Sequence, residues 1–129
     1  MVDREFVNQA VLVPAGADVV GAQGIRISER VSAATVGAGR LCGFFATLGP
    51  GERTAVHHHG DEETIVLLTA GSCDVFSGEG LASGVHMRVG DVVFIPAGCL
   101  HQVLAGPHGF TVFEVRSGAT DHTVVVGPP

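Results

Sequence analysis

The sequence predicts an all-β fold, a single domain built as a sandwich or barrel of short strands. Three observations predict it. Nineteen glycines are spread through 129 residues, and most fall between short apolar runs, where they mark tight turns. About eleven such runs follow one another at regular spacing. No stretch shows the sustained three-and-four-residue apolar recurrence of an amphipathic helix.

Taken in order, Ala10–Val13 reads as a short strand ended by Pro14-Ala15-Gly16. Ile25–Val31 alternates, with Ile25, Ile27, Glu29 and Val31 on one side and Arg26, Ser28 and Arg30 on the other, as in a half-exposed strand. The small residues of Val31–Arg40 suit a loop or weak strand. Leu41–Leu48 is apolar and aromatic, hence a buried strand, stopped by Gly49-Pro50-Gly51. Of its adjacent Phe44 and Phe45, one faces the interior and one packs outside. Thr54–His59 and Glu63–Thr69 are strands joined at Gly60-Asp61. Ser72–Phe76 follows, then the loop Ser77–Gly84. Val85–Val89, Val92–Ile95, His101–Leu104, Phe110–Val115 and Thr123–Val126 complete the set. Ile65, Leu67, Phe94, Val103 and Phe113 are candidates for lining the interior or packing around it.

Composition bounds the function. Apolar residues make up 46% and charged residues 16% of the chain, enough for one packed core and too apolar for a disordered chain. Net charge is −6 with seven Lys plus Arg. No basic cluster exists to neutralise phosphates, so a nucleic-acid partner is not expected. The N-terminus lacks the charged start and apolar run of a signal peptide, and Thr64–Ala70 is far too short to span a membrane. Cys42, Cys73 and Cys99 are three unpaired cysteines, which fits free thiols in a reducing cytoplasm.

The stretch AVHHHGDEETIVLLTAG, Ala55 to Gly71, carries the chemistry. Side chains two apart on a strand share a face, so His57 and His59 point together and His58 points away. Asp61 and Glu62 read as solvated turn residues. Glu63 lies beyond the turn and is placed to add a carboxylate, giving a two-His, one-carboxylate set. Further on, Pro96-Ala97-Gly98 makes a tight turn and His101 starts the next strand; a closed antiparallel barrel permits it to face the first pair. Cys99 precedes His101 by two residues and reads as a small buried cysteine. His86, His108 and His122 are isolated and read as surface residues.

These two segments resemble the two motifs of the cupins. The first runs Gly51, five residues, His57, one residue, His59, three residues, Glu63; the second runs Gly90, five residues, Pro96, one residue, Gly98, two residues, His101. Ala105 stands where the second motif often has Asn. The resemblance covers residues 41–115, most of one domain spanning 1–129, with the N-terminal strands in 1–40. The run HHHGDEET is similar to a bacterial subset of small cupins. The resemblance implies a double-stranded β-helix, or jelly roll, with His57, His59, Glu63 and His101 holding a divalent transition metal: iron, manganese, nickel or zinc. The first motif usually has six residues between its Glu and a Gly. Here seven separate Glu63 from Gly71, which puts Thr64 at the usual Glu position. Either a bulge turns Glu63 to the metal, or Glu63 points elsewhere and the site has three histidines.

A metal with open positions inside an apolar barrel suits a small organic ligand with a carboxylate or enol oxygen. The expected function is a metal-dependent enzyme such as a dioxygenase, isomerase, decarboxylase or lyase; the alternative is a non-catalytic metal- or ligand-binding sensor. With no Tyr and no Trp in the chain, neither a cysteine–tyrosine crosslinked thiol dioxygenase nor a cupin epimerase with a tyrosine acid fits. Exposed edge strands such as Ile25–Val31 lead us to expect a homodimer.

Overall fold

The computed structural model describes residues 9–127. The ends of the expected domain 1–129, residues 1–8 and 128–129, lie outside the described residues. Among the described residues nine strands form: β1 (Val19–Val20), β2 (Arg26–Val31), β3 (Cys42–Leu48), β4 (Val56–His58), β5 (Thr64–Ser77), β6 (Ser83–Met87), β7 (Val92–Ile95), β8 (His101–Arg116) and β9 (Val124–Gly127). All pairings are antiparallel, in the order β1-β2-β3-β8-β4-β9, with β5 joined to β6, β7 and β8. The result is a curled all-β barrel.

Two long strands make the curl. β5 and β8 pair twice, first over Thr64–Gly71 and again over Cys73–Ser77, with register shifts between Leu68 and Ala70 and between Gly71 and Cys73. These irregularities bend both strands while the ladder continues. Gly71 and Gly109 sit at the bend with φ of 76° and 72°, and a Cβ on Gly71 would collide with the Gly109 carbonyl. The glycines that suggest breaks at the sequence level are corners of continuous strands. Four expected strands, Glu63–Thr69, Ser72–Phe76, His101–Leu104 and Phe110–Val115, are thus halves of two.

Two other expectations are corrected. Ala10–Val13 forms no strand. Within Val31–Arg40, Ala33–Val36 makes one helical turn (α1) instead of a loop or weak strand, because Ser32 and Thr35 form a reciprocal capping box and Gly37 closes it in the left-handed region.

The core sits inside the curl and contains Phe44, Ala46, Leu48, Val66, Leu68, Met87, Phe110 and Val112. Phe44 is the inward member of its pair. Phe45 lies outside, its ring 4.9 Å from that of Phe113. Burial alternates without a break from Glu62 to Leu68, so Glu62, Thr64, Val66 and Leu68 face in. Ile65 and Leu67 face out, 49% and 37% exposed, as does Phe94 at 55%. They belong to an outer apolar face, not the interior. Val103 packs against the core as expected.

Candidate metal centre

Two turns bring the histidines together. The turn at Gly60 (φ 62°) and the turn at Gly98 (φ 71°) touch through a hydrogen bond from the Gly98 N–H to the Gly60 carbonyl, 2.6 Å. Each glycine adopts a left-handed φ that a side chain would resist. With the turns joined, β4 and β8 pair directly at His57 opposite His101. His59 follows two residues after His57, on the same side.

The structure brings His57, His59 and His101 into one cluster, with ligating nitrogens all within 4.8 Å of one another. Ring centroids are 4.1 Å apart for His57 and His101, 5.0 Å for His57 and His59, and 4.9 Å for His59 and His101. All three residues are buried. Each Nδ1 meets a backbone carbonyl: His57 that of Ala55 at 2.7 Å, His101 that of Cys99 at 2.9 Å, and His59 that of His122 at 3.2 Å. A carbonyl only accepts, so Nδ1 carries the proton in each ring and Nε2 keeps its lone pair.

Electrostatics agree. Burial, reinforced by the charge of His101, pulls the His57 pKa down to about 3. Burial and the Arg116 charge pull His59 down to about 2, and burial lowers His101. The three rings are neutral at pH 7 and offer lone pairs without first losing a proton. Three neutral imidazoles in a buried cluster suit zinc, iron, copper or nickel, so the residues present fit a bound transition metal.

Glu63 is not brought to the cluster. It is exposed, its N–H donates to the Ser117 hydroxyl at 2.9 Å, and its carbonyl accepts from the Ser117 N–H. No bulge intervenes at the start of β5, so neighbouring residues keep opposite faces. Thr64 takes the inward position, and its Oγ1 is buried without a hydrogen-bond partner among the described residues. Glu62, expected in solvent, is buried at 5% exposure; its carboxyl lies against Gly118 and 3.7 Å from His122. Burial raises its pKa. Asp61 is exposed as expected. His58 is half-buried, and its Nδ1 accepts from the Gly60 N–H at 3.0 Å.

Two inward charged residues escape the sequence reading, Glu114 and Arg116. They follow Phe110 and Val112 on the inner face of β8. The Arg116 side chain has no exposed surface; it pairs with Glu114 at 3.0 Å and with Asp121, and its guanidinium lies 4.8 Å over the Phe44 ring. Burial raises the Glu114 pKa against the pull of Arg116. Glu114, His57 and His101 line one internal cavity, together with Gln23, Thr54 and apolar side chains. Its free volume is about 20 Å³, room for a single water. The detectable signal was two charges at positions of β8 that share the parity of core residues.

No protein-family model matches the chain, and no curated protein matches it. Solved structures do. An uncharacterized conserved protein with a double-stranded β-helix domain from Klebsiella pneumoniae is 16% identical, with TM-score 0.68 over 82% of this chain and 87% of that one. Pumpkin seed globulin is 22% identical, with TM-score 0.73 over 85% of this chain but 30% of its own. The chain thus spans under a third of that globulin. The Schizosaccharomyces pombe Cnp3 cupin domain is 10% identical, with TM-score 0.63 over 73% of this chain and 64% of that one. At these identities the likeness speaks to architecture. The chain has the double-stranded β-helix fold of the cupins, with a buried three-histidine cluster.

Proposed function

We propose that the chain is a metal-dependent enzyme that binds one divalent transition metal through His57, His59 and His101 and acts on a small organic substrate bearing a carboxylate or enol oxygen. The observation that carries this reading is the geometry of the rings: three buried, neutral imidazoles, each with Nδ1 tied to a carbonyl and Nε2 free. Three such nitrogens within 4.8 Å of one another can share one ligand or metal. When bound, iron, manganese, nickel or zinc would supply Lewis acidity, and iron or manganese redox chemistry as well. Three protein ligands leave positions open in an octahedral site. The chain's own residues hold the rings, keep bulk water out with the apolar wall of Val66, Phe110 and Val112, and present the Glu114 carboxyl to the adjacent space. The reaction classes this reading covers are oxygenation, isomerisation, decarboxylation and lyase chemistry.

The small cavity favours a second reading, a non-catalytic binding module. About 20 Å³ beside His57 and His101 admits one small ligand atom group without side-chain movement. The test is turnover of small oxo, hydroxy and enol acids by protein loaded with each of the four metals, followed by mass spectrometry and oxygen consumption. Turnover that vanishes on chelation supports the enzyme. Turnover undiminished in metal-free protein would overturn it. Metal uptake without conversion of any of these acids would select the binding module.

A further inference from the structure

The three histidines are not held alike. His57 and His101 are each fixed by the carbonyl two residues upstream, Ala55 and Cys99. Their hold is local and forms with the strand. His59 is fixed from the far end of the chain: its Nδ1 meets the His122 carbonyl and the Thr123 hydroxyl, both at 3.2 Å. The Thr123 hydroxyl donates its proton to Asp121 at 2.8 Å, so its oxygen lone pair is what faces the His59 N–H. Asp121 is in turn held by Arg116, the fully buried guanidinium that also grips Glu114. Downstream, β9 pairs with β4, with Val125 opposite His57 and Val124 opposite His58.

We propose that Asp121 and Thr123, anchored by Arg116, are the positioning residues of the metal centre. Together with the His122 carbonyl, which shares the same Nδ1–H, they hold the ring orientation of His59, and through it the affinity of the site. The inference rests on the metal reading above. A ring whose Nδ1–H is directed by an oxygen acceptor keeps Nε2 aimed and basic, and loss of such an outer partner typically weakens metal binding about 10- to 100-fold. The Thr123 hydroxyl is polarised for this task, because its own proton is committed to a carboxylate that is itself paired with a cation. The other two rings have no side-chain partner of this kind among the described residues, so the site has one adjustable ligand and two fixed ones.

Cobalt(II) is the probe. Its dissociation constant is measured by competition with a chelator, and its visible spectrum is recorded, for the unaltered protein and for Thr123→Val, Thr123→Ser and Asp121→Asn. Circular dichroism of each metal-free variant checks folding. Thr123→Val is nearly isosteric and Asp121 is partly exposed, so two independent variants carry the test. The expected result is weakening by about 10-fold or more in Thr123→Val and Asp121→Asn, with altered cobalt bands. Thr123→Ser, which keeps the hydroxyl, should stay within about threefold of the unaltered protein. Unchanged affinity and spectrum in Thr123→Val and Asp121→Asn would overturn the inference while leaving the metal reading intact. Equal losses in Thr123→Ser and Thr123→Val would also overturn it, because the hydroxyl would then not be the agent. Failure of the unaltered protein to take up cobalt would sink the metal reading itself.

Discussion

Acid should destabilise the metal-free protein through its histidines, and the size of the effect follows from their burial. His57 moves from an ordinary pKa of 6.5 to about 3, and His59 from 6.5 to about 2. The folded state therefore refuses protons that the unfolded chain accepts below pH 6.5. Stability from these groups is present above pH 6.5 and is lost progressively as pH falls toward their folded pKa values. Between pH 7 and pH 5 each ring removes about 2 kcal/mol, so the pair removes about 4 kcal/mol. That is a large part of a typical domain's total of roughly 5–15 kcal/mol. Glu62 and Glu114 act in the opposite sense. Their folded pKa values are raised, so their contribution grows as pH falls toward the ordinary carboxylate range. A difference measurement removes them. Urea unfolding of chelator-treated protein at pH 7 and pH 5 is compared with that of His57→Gln. The variant should lose about 2 kcal/mol less over that interval than the unaltered chain. An equal loss in both proteins would refute the reasoning, since it would mean that His57 is not held neutral by burial.

Glu63→Ala should leave cobalt affinity within about twofold, whereas removal of an Nδ1 partner costs about tenfold or more; a large loss, read by the same chelator competition, would bring Glu63 back into the site. Leu68→Ala, at a position with no exposed surface, should cost about 3 kcal/mol in urea unfolding, while Val89→Ala, at a position 63% exposed, should cost under about 1 kcal/mol. We also propose that a second copy of the chain covers the outer apolar face, where Ile65 pairs with Phe94 and Val115, and Leu67 with Val92 and Phe113. Sedimentation at micromolar concentration should give a dimer and Phe94→Asp a monomer; a monomeric unaltered chain would contradict this.

Much of the barrel was legible because strands leave local signals. Val92–Ile95 is bounded by Asp91 and Pro96 and forms over those same residues. His57 and His59 were legible as a pair because period two puts them on one side; His101 joined them through the resemblance of the two segments to the cupin motifs, since the Pro96–Gly98 turn only permits it to face them. The phase of β5 was not legible. Ile65 and Leu67 are as apolar as Val66 and Leu68, so hydrophobicity alone does not choose which set faces the core. The seven-residue spacing from Glu63 to Gly71 left Glu63 and Thr64 open as well, and the unbroken register of β5 against β7 and β8 from Thr64 onward settles it without a bulge there. The continuity of β5 and β8 was hidden for a related reason. Glycine marks both turns and bends, and only the partner strand distinguishes them. The hold on His59 comes from residues more than sixty positions away, a distance at which no local pattern speaks.

The most direct test of the central claim is metal content. Untagged protein and its His101→Ala variant are incubated with iron, manganese, nickel and zinc, desalted, and assayed by elemental mass spectrometry. The account predicts about one transition metal per chain in the unaltered protein, in line with a single three-imidazole site, and loss of that metal in the variant. A folded, unaltered protein that takes up none of the four, or a variant that retains its metal in full, would contradict it.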